Sequence, residues 1–225
     1  GAAYVFHNPL AGGSPADADI RLYGTIATLG LGDFAGGVGD TDGDGLPEVG
    51  IGFTGSLSSG ATRGGVYIVG TASDGKMYVE DAAQGVVLPE SGAGAPSLGG
   101  SYANPIAAAG DVDGDGYGDA LIGAPDGNGY RGAAYVLSGP LTGEQSLFFA
   151  TAKISGLESN DGVGHAVATA HDVDGDGRDD VAIGAPGYDP HGPQSGAVAI
   201  FVAPAGELGF DEATAMALGD GTNWY

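Results

Sequence analysis

The stretch Asp111-Val112-Asp113-Gly114-Asp115-Gly116-Tyr117-Gly118-Asp119 runs straight into Ala120-Leu121-Ile122-Gly123-Ala124-Pro125 and, after a short gap, Gly132-Ala133-Ala134-Tyr135-Val136-Leu137. An acidic loop is followed by two apolar runs, and this order occurs three times. The first copy passes from Asp40-Thr41-Asp42-Gly43-Asp44-Gly45 through Val49-Gly50-Ile51-Gly52 to Gly65-Val66-Tyr67-Ile68-Val69, and the third from residues 172–177 through 181–186 to 196–202. Self-similarity at this interval marks a repeat architecture, whose units bury their apolar faces against one another.

Each unit reads as four short strands, A to D, with the acidic loop between A and B. Gly164-His165-Ala166-Val167-Ala168-Thr169-Ala170 exemplifies strand A, and Ala150-Thr151-Ala152-Lys153-Ile154 strand D. β-branched and aromatic residues in the B and C runs suit a pleated surface, and Gly, Pro and Asp clusters supply the turns. The expected fold is all-β: a β-propeller segment of four-stranded antiparallel blades. A parallel β-helix has a much shorter repeat.

The ends refine this expectation. Gly1-Ala2-Ala3-Tyr4-Val5-Phe6 matches residues 132–137, so residues 1–24 read as the C and D strands of a preceding blade. Blades with the first, second and third acidic loops follow at 25–90, 91–156 and 157–219, and 220–225 reads as the start of a further repeat. Three whole blades and two strands are too few to close a ring. The sequence, which opens without Met, is therefore expected to be a piece of a longer array.

Composition agrees. With 47 Gly, 12 Pro and only 16% charged residues, the chain lacks the stock of an amphipathic helical protein. Against 29 Asp and Glu stand 6 Lys and Arg, a net charge of −23, which disfavours nucleic acid and anionic membranes and favours cations. No apolar run approaches the roughly 18 residues that span a bilayer, so no membrane insertion is expected. There is no cysteine, so disulfides supply no cohesion.

The loops supply the chemistry that the charge calls for. A hard cation such as Ca²⁺ takes six to eight oxygens, and carboxylates at alternate positions of a tight loop converge on one point. Positions 1, 3 and 5 are Asp40, Asp42 and Asp44 in the first loop, Asp111, Asp113 and Asp115 in the second, and Asp172, Asp174 and Asp176 in the third. Position 7 offers a backbone carbonyl from Leu46, Tyr117 or Arg178, and position 9 is acidic as Glu48, Asp119 and Asp180. Position 12, where an EF-hand needs a bidentate Glu, holds Ile51, Ile122 and Ile183 on a strand, so the position-9 acid is expected to close the site. Turn preference alone does not require four acids at fixed spacing three times over. About three Ca²⁺ per chain are expected.

These motifs resemble the FG-GAP repeats of integrin α subunits and their bacterial relatives. The carriers are the residues 110–119, Ile122-Gly123-Ala124-Pro125 and Gly132-Ala133-Ala134-Tyr135-Val136, with the parallel copy from Asp172. The first copy departs, with Ile51-Gly52-Phe53-Thr54 in place of Gly-Ala-Pro. The resemblance implies a seven-bladed propeller with Ca²⁺ in the A to B loops, serving extracellular or cell-surface adhesion or recognition of a protein or glycan partner. Further blades, from the same or another chain, are the other partners expected. A structural subunit of a surface layer or filament, or a non-catalytic propeller attached to an enzyme, are the alternatives.

No catalytic site is expected. His7, His165, His171 and His191 show no zinc-type spacing, no nucleophile elbow surrounds a serine, and no GxG cluster sits between a strand and a helix. Tyr67, Tyr135 and Phe201 read as core. In an antiparallel blade the A to B and C to D turns share one face, and the B to C loops and D to A links share the other. Partner contacts are expected on the second face, in the loops 54–64, 126–131 and 187–195, through Arg63, Tyr130, Arg131, Tyr188 and His191.

Overall fold

The computed structural model describes residues 1–7, 14–26, 30–55, 64–72, 74–90, 98, 105–190 and 195–219. The regular structure of the described residues is nearly all strand. β1 (Ala2–Val5) and β2 (Ile20–Tyr23) come first, then β3 (Ala35–Gly39), β4 (Glu48–Phe53), β5 (Gly65–Val69), β6 (Gly75–Tyr78) and β7 (Ala83–Leu88). The next group is β8 (Ile106–Gly110), β9 (Asp119–Ala124), β10 (Ala133–Leu137), β11 (Gly143–Ser146) and β12 (Ala152–Ser155). The last is β13 (Ala166–His171), β14 (Asp180–Ala185), β15 (Ala197–Phe201), β16 (Gly206–Gly209) and β17 (Ala215–Leu218). Single-turn helices, α1 (Val79–Ala82) and α2 (Gly127–Tyr130), interrupt two connections.

Three sheets carry the expected A-B-C-D meander: β3-β4-β5-β7, β8-β9-β10-β12 and β13-β14-β15-β17, all antiparallel, while β1 and β2 pair as C and D of another. One feature departs from the expected four-stranded blade. In each repeat the connection from C to D contains a strand that leaves its own sheet and pairs in parallel with the D strand of the sheet before. β6 joins β2, β11 joins β7, and β16 joins β12. Each donated strand starts on a glycine at positive φ, Gly75, Gly143 or Gly206. Four residues on, Val79, Leu147 and Phe210 are buried between the two sheets. These polar segments give no strand signal in the sequence, because a four-residue strand such as Gly143-Glu144-Gln145-Ser146 has no apolar alternation.

Packing follows the two-residue period of strands. On β10, Ala133, Tyr135 and Leu137 face back toward Val66 and Ile68 of β5, while Ala134 and Val136 face forward toward Val181, Ile183 and Phe201 of the last sheet. On β5, Tyr67 and Val69 face back onto Ile20 and Leu22 of β2. The core is therefore a series of apolar layers between successive sheets, and the interior strands read as near-continuous apolar runs because both faces are covered. Tyr67 and Tyr135 are core, as expected, and burial pushes both phenols up, Tyr67 to about 12.

Candidate metal centres

Each acidic loop begins with the same backbone device. The A strand slips register just before it ends, between Gly37 and Gly39, Ala108 and Gly110, and Thr169 and His171. The last residue of the strand then takes a positive φ, 82° at Gly39, 89° at Gly110 and 56° at His171. This bulge turns the chain out of the sheet and aims the position-1 aspartate into the loop. Glycines at positions 4 and 6 hold φ near 80° and 90°, as the tight turn requires.

Within the loop, side-chain oxygens collect backbone N–H groups in a regular series. The amides at positions 4 and 6 donate to the position-1 carboxylate, at 2.8 and 2.9 Å from Gly43 and Gly45 to Asp40, with the same contacts at Asp111 and Asp172. The position-5 amide donates to the position-3 carboxylate, and the position-7 amide to position 5. The position-2 amide donates to the position-9 acid, from Thr41 to Glu48 at 2.6 Å, Val112 to Asp119 at 2.8 Å and Val173 to Asp180 at 2.8 Å. The carboxylates are thus oriented by the backbone before any ion is considered.

Three groups of acids then stand with one oxygen apiece within 4.8 Å of one another: Asp40, Asp42 and Glu48; Asp111, Asp113 and Asp115; Asp172, Asp174 and Asp180. The sets differ. The position-9 acid joins the first and third groups but not the second, where Asp119 is held by Val112 and by the Gly139 amide at 3.0 Å. Position 5 joins only the second. Asp44 lies exposed beyond the first group, and Asp176 accepts from the Arg178 amide, which lowers its pKa, with the Arg178 guanidinium at 2.9 Å adding to the fall. Leu46 and Arg178 are exposed and Tyr117 half-buried at position 7.

The position-9 acids are the buried floor of the loops. Desolvation pushes Asp119 up to about 6, against two amide donors that lower it, with Asp113 and Asp115 adding to the rise. Burial raises Glu48 too, and its Oε1 is buried with no hydrogen-bond partner. Asp119 and Asp180 spend the corresponding oxygen on the amides of Gly139 and Ala203. An orphaned anionic oxygen on a residue 1% exposed, beside Asp40 and Asp42, fits a cation donor set.

The loops are also tied to one another. The position-8 amide of one loop donates to the position-1 carbonyl of the loop before, from Gly118 to Asp40 at 2.7 Å and from Asp179 to Asp111 at 2.9 Å. Asp179 adds its carboxylate, which accepts from the Asp111 amide at 2.9 Å. Pro47 occupies position 8 of the first loop and has no N–H to give.

Comparison with known proteins bears directly on these loops. The FG-GAP repeat family model matches residues 103–137 and 163–201, which take in the second and third loops with the B and C strands behind them. The two matched segments are thus similar to FG-GAP repeats. Integrin alpha pat-2 of Caenorhabditis elegans is 40% identical over 91 residues, 38% of this chain and 7% of that protein, and its Caenorhabditis briggsae counterpart is 41% identical over the same shares. The matched residues thus correspond to a small part of these relatives. Its first repeat, with Ile51-Gly52-Phe53-Thr54, lies outside the residues that the family model matches.

On the other face, Tyr130 and Arg131 of the second blade are exposed at α2. Tyr130, at φ 63°, lines a cleft of about 190 Å³ with Pro125, Asn160, Gly162, His165 and Pro186. Tyr188 is half-buried, its ring 5.1 Å from that of Phe210. Arg63 and His191 lie outside the described residues. Among the described residues no helix is long and apolar enough to cross a membrane.

Proposed function

We propose that this chain is a Ca²⁺-braced propeller module for recognition or adhesion, with one ion in each of its three acidic loops. The observation that carries the reading is the threefold convergence of carboxylates on backbone-oriented loops, one of them with a buried oxygen left over. In the first loop Asp40, Asp42, Asp44, Glu48 and the Leu46 carbonyl hold the ion. Asp111, Asp113, Asp115, Asp119 and the Tyr117 carbonyl serve in the second, and Asp172, Asp174, Asp176, Asp180 and the Arg178 carbonyl in the third. The ion supplies cohesion, offsetting the repulsion of a net charge of −23. An extracellular or cell-surface setting keeps such oxygen-ligand sites filled.

A protein or glycan partner meets the B to C loops, away from the ions. The cleft beside Tyr130 supports that side, since an exposed aromatic next to Arg131 is a residue pair that interfaces enrich. Equilibrium dialysis with elemental analysis should find about three calcium ions per chain, and chelation should lower the melting temperature. A folded, calcium-free sample whose melt ignores chelator would overturn the reading.

A further inference from the structure

Each donated strand ends in a short corner that leads toward its D strand, and the three corners share one plan. Val79-Glu80-Asp81-Ala82, Leu147-Phe148-Phe149-Ala150 and Phe210-Asp211-Glu212-Ala213 each run from a buried apolar residue through two further positions to an alanine. Two corners fill the middle positions with acids. The second fills them with phenylalanines that are 72% and 80% exposed, above every other large apolar side chain among the described residues.

The two rings meet edge to face with centroids 5.1 Å apart, so they form a single apolar knob. Its backbone is fixed: the Phe148 amide donates to the Ser146 hydroxyl at 3.3 Å, and the Ala150 amide to the Leu147 carbonyl at 3.2 Å. The sheets on both sides are in place, since β11 lies on β7 and β16 on β12, and the knob is exposed all the same. Its surroundings are acidic. Glu144 is exposed on the strand that enters the corner, and Glu207 on β16, whose Gly206 amide reaches the Thr151 carbonyl two residues past Phe149 at 2.8 Å. Lys153, the basic residue of this segment, is held by Glu90 at 2.7 Å.

We propose that Phe148 and Phe149 anchor a docking surface for a protein that presents a basic amphipathic surface, apolar at its centre and bordered by lysine or arginine. The surface lies in the C to D connection and is separate from the Tyr130 cleft in the B to C loop. Charge selects the occupant, because Glu144 and Glu207 attract a basic border, and an aromatic anchor within a polar ring concentrates binding energy. A second copy of the chain fits poorly. Two knobs meeting across a twofold axis would bury roughly 600 Å², about half of what a stable interface needs, between chains that each carry a net charge of −23. The same charge opposes an anionic membrane.

The test titrates the whole chain into a fluorescent synthetic helix of leucine and lysine, with its leucines on one face, at physiological ionic strength. Saturable one-to-one binding by anisotropy is expected, with amide-exchange protection appearing over residues 147–150, and an oligolysine of equal charge should bind at least tenfold more weakly. Phe148→Glu combined with Phe149→Asp puts acids where the other two corners have them. This double variant should weaken binding at least tenfold although it adds two negative charges, and should leave the melt unchanged. Phe149→Ser alone should give a smaller loss in the same direction. Equal binding of the double variant, equal binding of oligolysine, or protection only at other residues overturns the proposal. So does flotation of the parent, but not the double variant, with phosphatidylcholine vesicles, or a parent dimer that the double variant abolishes.

Discussion

The Asp179 amide donates to the Asp111 carbonyl at 2.9 Å, and the Asp179 carboxylate accepts from the Asp111 amide at the same distance. One residue of the third loop thereby takes both backbone groups of the first acid in the second. Loop geometry in one blade is set partly by its neighbour.

Replacing Asp179 separates the two bonds. Asp179→Ala removes the carboxylate contact and should cost about 1 kcal/mol, and Asp179→Pro removes the N–H as well and should cost about twice that. Pro47 shows that the loop backbone accepts proline at this position. Urea unfolding measures both, and equal losses would show that the amide bond contributes nothing.

Glu48→Gln addresses the orphaned oxygen. The variant should bind about one calcium ion fewer per chain, because a neutral amide is a poor closing ligand. In chelator it should melt at or above the parent, since burial of the charged Glu48 opposes folding when no cation is present. Dialysis and melts with and without chelator check both halves.

Tyr67, pushed up to about 12 by burial with Glu80 adding to the rise, ties stability to alkaline pH. A raised folded pKa means the neutral phenol is favoured by the fold. Its contribution is complete below the unfolded value near 10 and is lost as pH climbs through 12. A Tyr67→Phe variant should lose that slope between pH 10 and 12 and keep its stability at pH 8, which melts across the alkaline range would show.

Two glycines at similar φ should respond differently to alanine. Gly206, at 76°, has open space where a Cβ would stand, so Gly206→Ala should cost about 1 kcal/mol from backbone strain alone. At Gly132, at 75°, a Cβ would lie 2.2 Å from the Val163 carbonyl oxygen, and the cost should exceed about 3 kcal/mol. Denaturant midpoints of the two variants make the comparison.

The acidic loops and the B and C strands were legible because their chemistry is written in spacing: acids at positions 1, 3, 5 and 9, then apolar runs long enough to be covered on both faces. Expected strand positions fell within two or three residues of those observed, as for residues 150–154 against β12 at Ala152–Ser155. The donated strands are hidden in the sequence because a segment such as Gly75-Lys76-Met77-Tyr78 is only four residues long and buries none of them fully. Their pairing lies entirely in backbone bonds to another repeat, and only the recurring interval from glycine to a large apolar residue could have pointed to them. The unequal acid sets were equally hidden, since the acids recur at the same positions in all three loops and which of their oxygens converge is a tertiary matter.

Because the D strands β2, β7 and β12 each borrow a neighbour from the repeat that follows, the unit of sequence and the unit of structure are out of phase. A cut between β12 and β13 would strip β16 from the sheet of β12 and bury nothing in its place. No cut between successive sheets leaves both products intact, so unfolding is expected to couple neighbouring blades across their borders.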